Sequence, residues 1–342
     1  MTLEVSPFHG APGEWDAFAA RQPGFTHFHR HGWKDVIEQV FRHECIYLEA
    51  RSGGALAGVL PLVRVRSRIF GHYLVSMPFL NYGGPLGTDD GVRALAEHAV
   101  ERARADGVKL LELRSRVALP VELPASHRKI TVVLDIPTGR PDELLKAIGS
   151  KLRSQVRRPM KEGVEIRFGL DQVAPFFDVF SRHMRDLGTP TQPRGLFEAM
   201  AHHFPDDVWI GVAWFRGRPI AGGAGFRWGS EFEMTWASAL VEHNRIAPNM
   251  GLYWAFLERA TAEGCRTFNF GRCTPGSGTH RFKLQWGGRD EPLYWYQWAP
   301  GGGTAATPSP DQGAYRWGPM LWKKLPVGLA TALGPRVVRG IP

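Results

Sequence analysis

Three cationic or titratable side chains fall within four residues at His280-Arg281-Phe282-Lys283, and Arg272 precedes them by eight positions. Arg can clamp an anion through two parallel hydrogen bonds, whereas Lys acts as a point charge that can sit beside a developing oxyanion. Between them runs Thr274-Pro275-Gly276-Ser277-Gly278-Thr279, a flexible turn whose main-chain N–H groups could form an anion nest. Upstream, Pro248-Asn249 opens an apolar helix whose first N–H groups and positive dipole end also suit an anion. Helix start, strand end and cations over Asn244–Gly288 fit acyl transfer from an activated, anionic donor. In such a reaction the protein chiefly aligns an amine or hydroxyl with the donor carbonyl and stabilises the oxyanion. A second basic cluster, Lys151, Arg153, Arg157, Arg158 and Lys161, places Arg153 and Arg157 on one helical face, suited to phosphate, RNA or membrane. The plainer alternatives are a solvated basic face for both clusters and an ordinary N-cap role for Asn249.

The elements that must position these residues follow from periodicity and punctuation. Trp33, Val36, Ile37 and Val40 make one apolar helical face within 14–41. Strands are expected at 45–50, 55–67 and 73–79, with Gly53-Gly54 as a hairpin turn. Asn81-Tyr82-Gly83-Gly84-Pro85 breaks the pattern and could line a cleft. A helix at about 91–106 leads to strands at 109–115 and 127–136. Pro and Gly in 137–143 mark the expected domain boundary, before a basic helix at 151–163 that Pro159 should kink or end. Helices at 171–187 and 195–203, strands at 208–215, 219–228 and 231–239, and a last strand at 291–298 complete this half.

Two stretches repeat. Val100–Arg116 and Leu257–Cys273 align without a gap, with five of seventeen positions identical, and each reads as helix end, Gly stop and strand. Each follows hairpin-connected strands, which favours two copies of one mixed α+β module: residues 1–138 and 139–299, then a linker and basic amphipathic tail over 300–342. The tail has five basic residues and no acid after Asp311, as in a segment that lies on a membrane surface or packs back on the first domain.

The 342 residues suit two domains, and 42 Lys and Arg against 33 Asp and Glu give a net charge of +9. That balance suits phosphorylated substrates, RNA or anionic lipid. Three Cys without C-x-x-C spacing argue against a disulfide framework and fit a reducing cytoplasm. The first residues lack signal-peptide character, and no apolar run of about 18 residues occurs. There is no G-x-S-x-G, H-E-x-x-H, Walker A loop, clean Rossmann fingerprint or metal-ligand His spacing, so metal and nicotinamide chemistry are disfavoured.

Through LPLVRVRSRIFG, LVSMPFLNYGGPL, KLRSQVRRPMKEG, MRDLGTPTQPRGLF, APNMGLYW, FNFGRCTPGSGTHRFKLQWG and WKKLP, the chain resembles the FemAB family of peptidoglycan interpeptide-bridge aminoacyltransferases. The likeness extends to the subgroup associated with exosortase (PEP-CTERM) and exopolysaccharide loci. The resemblance implies tandem GNAT-like domains with mixed, mostly antiparallel sheets flanked by helices. It also implies no metal and no bound cofactor, while the cysteine usage and the basic tail give the expected place of action as the cytoplasm, near the inner face of the membrane. The family's site Phe-Lys matches Phe282-Lys283. The long coiled-coil arm of some members is absent here. The implied reaction moves an aminoacyl group from aminoacyl-tRNA to a lipid-linked or nucleotide-linked muropeptide.

On this basis Lys283, Arg281 and Arg272 would neutralise donor charge and polarise the carbonyl. Asn249 would orient the donor, and Tyr253 and Trp286 would shape the acceptor pocket. Asn81, Tyr82, Arg153 and Arg157 would contact the acceptor. Two rivals stand beside it. One is an acyl-CoA-dependent N- or O-acyltransferase of exopolysaccharide synthesis, although the Q/R-x-x-G-x-G/A pyrophosphate signature of GNAT enzymes is only echoed by Arg245–Gly251. The other is a non-catalytic GNAT-like binding module of a polysaccharide-export system.

Overall fold

The structure is a computed structural model and describes residues 3–302 and 318–341. The predicted linker lies outside the described residues from 303 onward. The chain forms two compact units. Among described residues, unit 1 comprises 3–129, 292–302 and 339–341, and unit 2 comprises 130–291 and 318–338.

Unit 1 begins with strand β1 (Leu3–Pro7), helix α1 (Pro12–Ala19) and helix α2 (Trp33–Phe41), which buries Trp33, Val36, Ile37 and Phe41. Strands β2 (Glu44–Ser52) and β3 (Ala55–Ser67) form the hairpin expected at Gly53-Gly54, where both glycines have positive φ. Strand β4 (Gly71–Ser76), the two-residue β5 (Leu86–Gly87), helix α3 (Asp89–Ala105), strand β6 (Leu110–Ser115) and β7 (Ala125–Ser126) follow. Thr88 caps α3 by accepting from the Gly91 N–H, with acids in the first turn and Arg102 and Arg104 in the last, matching the helix dipole.

Unit 2 contains β8 (Ile130–Asp135), α4 (Pro141–Ala147), α5 (Gly149–Lys161), β9 (Glu165–Phe168), α6 (Val173–Leu187) and α7 (Arg194–His203). It continues with β10 (Val208–Phe215), β11 (Arg218–Trp228), β12 (Glu231–Ala239), α8 (Pro248–Ala262), β13 (Thr267–Cys273), α9 (Gly278–Leu284) and β14 (Arg289–Pro292). Strand β15 (Tyr294–Trp298) belongs to unit 1, and α10 (Gly318–Trp322) and α11 (Val327–Val338) to unit 2.

Both units share one topology. In unit 1 the main strand order is β1-β2-β3-β4-β6-β15-β7, and in unit 2 it is β14-β8-β13-β12-β11-β10-β9. In each, antiparallel strands lead into a helix, and the next strand returns parallel to the one before that helix: β6 on β4, and β13 on β12. This crossover lays the helix on the sheet. The repeated segments are the ends of α3 and α8 with β6 and β13. The strand beyond each parallel pair comes from elsewhere in the chain, with β15 completing the first sheet and β8 the second.

Two expectations change, and a stretch to which the sequence assigned no element gains one. The division falls at Lys129/Ile130 rather than within 137–143, because β8 hydrogen-bonds to β13 of the second sheet. Pro159 does not end its helix; α5 runs on to Lys161, with Pro159 buried in it. The stretch after the Gly-rich turn is helix α9, capped by Ser277, whose Oγ accepts from the His280 N–H.

Candidate active site

The parallel ladder between β12 and β13 is short, running from Glu231↔Thr267 to Glu233↔Asn269. Just beyond it β13 bulges against β8, between Asn269 and Arg272. Gly271 adopts φ +73°, and a Cβ there would lie 2.7 Å from the Met234 carbonyl oxygen. Only Gly fits without strain. Asn269 fixes the bulge: its Oδ1 accepts from the Gly271 N–H and the Thr131 hydroxyl, and its Nδ2 donates to Glu231.

Helix α9 returns Lys283 to this bulge. Its Nζ donates to the carbonyl oxygens of Gly271 at 2.6 Å and Arg272 at 3.0 Å, and the side chain is 3% exposed. Two of three ammonium donors are committed to those carbonyls. Burial lowers the Lys283 ammonium to about 8; Cys273 and Glu233 act the other way, and Arg272 adds to the lowering. At neutral pH the group is still chiefly the ammonium, held at a strand end with its proton more easily lost than that of an ordinary lysine.

The loop that leads into α9 is built, not slack. Gly276 N–H donates to His280 Nδ1 at 2.9 Å, which leaves Nε2–H to donate to Asp290 at 2.9 Å. Arg281 Nη1 donates to the Gly276 carbonyl at 2.7 Å. His280 and Arg281 thus shape the turn that aims Lys283, and Arg281 itself is exposed.

Tyr253 of α8, Phe270 of β13, and Phe282 and Trp286 at α9 form one aromatic cluster, with Tyr253 and Phe282 centroids 4.9 Å apart. Burial pushes the Tyr253 hydroxyl up, and Cys273 adds to it. Trp286 Nε1, Asn249 Oδ1 and Thr235 Oγ1 are buried without a hydrogen-bond partner. Such groups carry a desolvation cost that a bound polar ligand would relieve.

Lys283, Arg272, Asn249, Tyr253 and Trp286 are therefore gathered on β13, the start of α8, and α9. Asn249 is not the N-cap; Ala247, with φ 53°, takes that position, and Pro248 follows it. Pro248 has no N–H and the Met250 N–H is bonded to Ala247 O, so the helix start offers an anion fewer donors than expected. Gly251 serves packing, since a Cβ would lie 2.8 Å from Pro159 Cγ. Arg153 and Arg157 lie on α5, where Arg153 Nη1 caps α4 through Lys146 O at 2.7 Å and Arg157 is exposed. Asn81 and Tyr82 are buried inside unit 1. Sequence reasoning passed over Glu233, Thr235, Cys273 and Asp290. Glu233 and Cys273 stand in strands that also carry Glu231, Thr235, Asn269 and Arg272, so their residue types alone give no distinguishing signal.

A family profile described as an acetyltransferase (GNAT) domain matches residues 150–284, a span that ends just past Lys283. Among solved structures, FemX aligns with 86% of this chain and 97% of its own, at 14% identity and a TM-score of 0.66. L-PGS from Bacillus licheniformis aligns over 97% of both chains at 12% identity and a TM-score of 0.55. A tandem GNAT protein from the clavulanic acid biosynthesis pathway aligns with 89% of this chain and all of its own, at 14% identity and a TM-score of 0.51. No curated protein sequence matches. The fold is thus a tandem GNAT-like α+β fold, and the residues that match the GNAT profile all lie in unit 2.

Proposed function

We propose that unit 2 transfers an aminoacyl or acyl group from an ester or thioester donor to an amine or hydroxyl of a cell-envelope precursor. The observation that carries this reading is the buried Lys283 seated on the Gly271 and Arg272 carbonyls where the β12–β13 ladder ends. Its remaining N–H would face the donor carbonyl and stabilise the oxyanion formed when the acceptor attacks. Arg272 adds positive charge, the aromatic cluster excludes water, and the orphaned groups of Thr235, Asn249 and Trp286 would hold the reactants in line. On collapse of the intermediate the acceptor's proton leaves with the donor's oxygen or sulfur, so the acyl carbon exchanges one bond for another without oxidant or metal.

An aminoacyl ester is the preferred donor because the start of α8 is poor in free N–H groups, which weakens it as a seat for the CoA pyrophosphate. The resemblance of FNFGRCTPGSGTHRFKLQWG and the other quoted motifs to FemAB enzymes supports an envelope acceptor, and FemX shares the fold. Acyl-CoA is the second reading, favoured by the GNAT acetyltransferase match. Thermal melts of the full chain with charged tRNA, uncharged tRNA, acetyl-CoA and longer acyl-CoAs separate them. Stabilisation by charged but not uncharged tRNA is expected; a shift with acyl-CoA alone would give the second reading, and no shift with any donor would remove both.

A further inference from the structure

The C-terminal helices are fastened to unit 2 by specific contacts. Arg185 Nη1 donates to the Leu325 carbonyl at 3.0 Å, Gly188 lies against Pro319, and α11 packs on α6. Gly334 comes so near Thr191 that a Cβ would be 2.7 Å from its backbone N. The side of α11 turned toward the unit is therefore its small side, with Ala330 and Gly334 buried. The outward side carries Leu329, Ala332, Leu333 and Arg336, spaced as one helical face. A surface helix ordinarily turns its apolar stripe inward; here it is reversed.

Leu329 and Leu333 are 46% and 36% exposed, and Met320 and Leu321 of α10 are 59% and 65% exposed. Leu187, next to the Gly188–Pro319 contact, is 52% exposed. Scattered exposed leucines are ordinary, but four large apolar side chains exposed on the consecutive helices α10 and α11 mark an interaction surface. Its charges are of one sign: Lys323, Lys324 and Arg336 are exposed, and no acid occurs from 318 to 341.

We infer that this face docks on an anionic lipid surface. A second copy of the chain would bring the same cations to the contact, whereas anionic headgroups complement them while the leucines enter the acyl boundary. No helix among the described residues is long and apolar enough to cross a membrane, so the contact is one of lying on the bilayer. The inference rests on the tail alone and is independent of the role given to Lys283.

The test is flotation of the full chain with vesicles of phosphatidylcholine and phosphatidylglycerol, against phosphatidylcholine alone, at low and high salt. Binding to the anionic vesicles is expected, weakened by salt and by more than about tenfold in Lys323→Glu/Lys324→Glu. Leu321→Ser/Leu329→Ser/Leu333→Ser, all exposed and checked by an unchanged melting curve, should lose it to a similar degree. Absence of flotation at low salt would overturn the inference. So would undiminished binding of the leucine variant, which would move the contact to another basic surface. A chain that dimerises through these leucines and ignores vesicles would assign the face to a second copy and overturn it as well.

Discussion

The two copies of the repeated module use the same strand end in opposite ways. Without gaps, Glu112 aligns with Asn269 and Arg114 with Gly271. The parallel ladders stop at these equivalent residues, Val75↔Glu112 in unit 1 and Glu233↔Asn269 in unit 2. In unit 1 the Arg114 carbonyl accepts from the Gly83 and Gly84 N–H groups, and its N–H donates to Ser76 Oγ. The Arg114 side chain bonds buried Glu112 and the Leu80 carbonyl and lies over Trp295. His29, neutral and pushed down to about 4 by burial, holds Gly84 through its Nε2–H. The loop 77–84 thus closes that strand end with main chain. In unit 2 the Gly271 N–H turns back on Asn269, and the freed carbonyls seat a cation from α9, a helix with no counterpart among the described residues of unit 1. One copy has spent its strand end on architecture; the other presents a charge there.

The largest effect on this contrast should come from Arg114→Ala. It leaves Glu112 buried beside a lost partner and should destabilise unit 1 by about 3–5 kcal/mol, measured by urea unfolding, with the donor-induced shift of the remaining folded protein unchanged. Loss of donor binding with preserved stability would put the site in unit 1.

The next effects concern pH. Lys283 has a folded pKa of about 8, below its ordinary 10.5. The unfolded state therefore binds the proton first, and stability rises with pH across that window. The stability of Lys283→Met relative to wild type should fall by on the order of 3 kcal/mol between pH 7 and about 10.5. The equivalent window in unit 1 belongs to His29, from 6.5 down to about 4. There the unfolded state again binds the proton first, so wild type should lose on the order of 3 kcal/mol relative to His29→Gln as pH falls through it. Flat difference curves in urea titrations at each pH would contradict the burial of either group. A smaller effect, about 1–3 kcal/mol, is expected for Gly271→Ala, which forces a side chain toward Met234 O at positive φ. The readout that separates it from a plain packing defect is loss of the alkaline stability gain, because Lys283 loses its seat.

Much of the architecture was legible because the pattern of hairpins, helix, Gly stop and strand recurs, and 208–239 resolves into its three strands almost at the expected ends. Lys283 stood out as a Lys in a dense basic and aromatic run. Helix α9 did not, because Pro275, Gly276 and Gly278 read as a loop while Ser277, its cap, looked like part of it. The exchange of β15 and β8 was hidden too. A strand's own residues specify alternation, not which sheet edge it joins. Nor could local pattern place Asn81 and Tyr82, which sit in a loop held by long-range bonds between Arg114 and Leu80, Gly83 and Gly84.

A buried ammonium on the β13 carbonyls would make unit 2 the reacting unit. This is tested most directly by single-turnover transfer of a labelled aminoacyl or acyl group from the donor that stabilises the chain, comparing wild type with Lys283→Ala of matched melting temperature. A loss of about 10²–10³ in rate is expected, with donor binding largely retained. Transfer at the wild-type rate would contradict it.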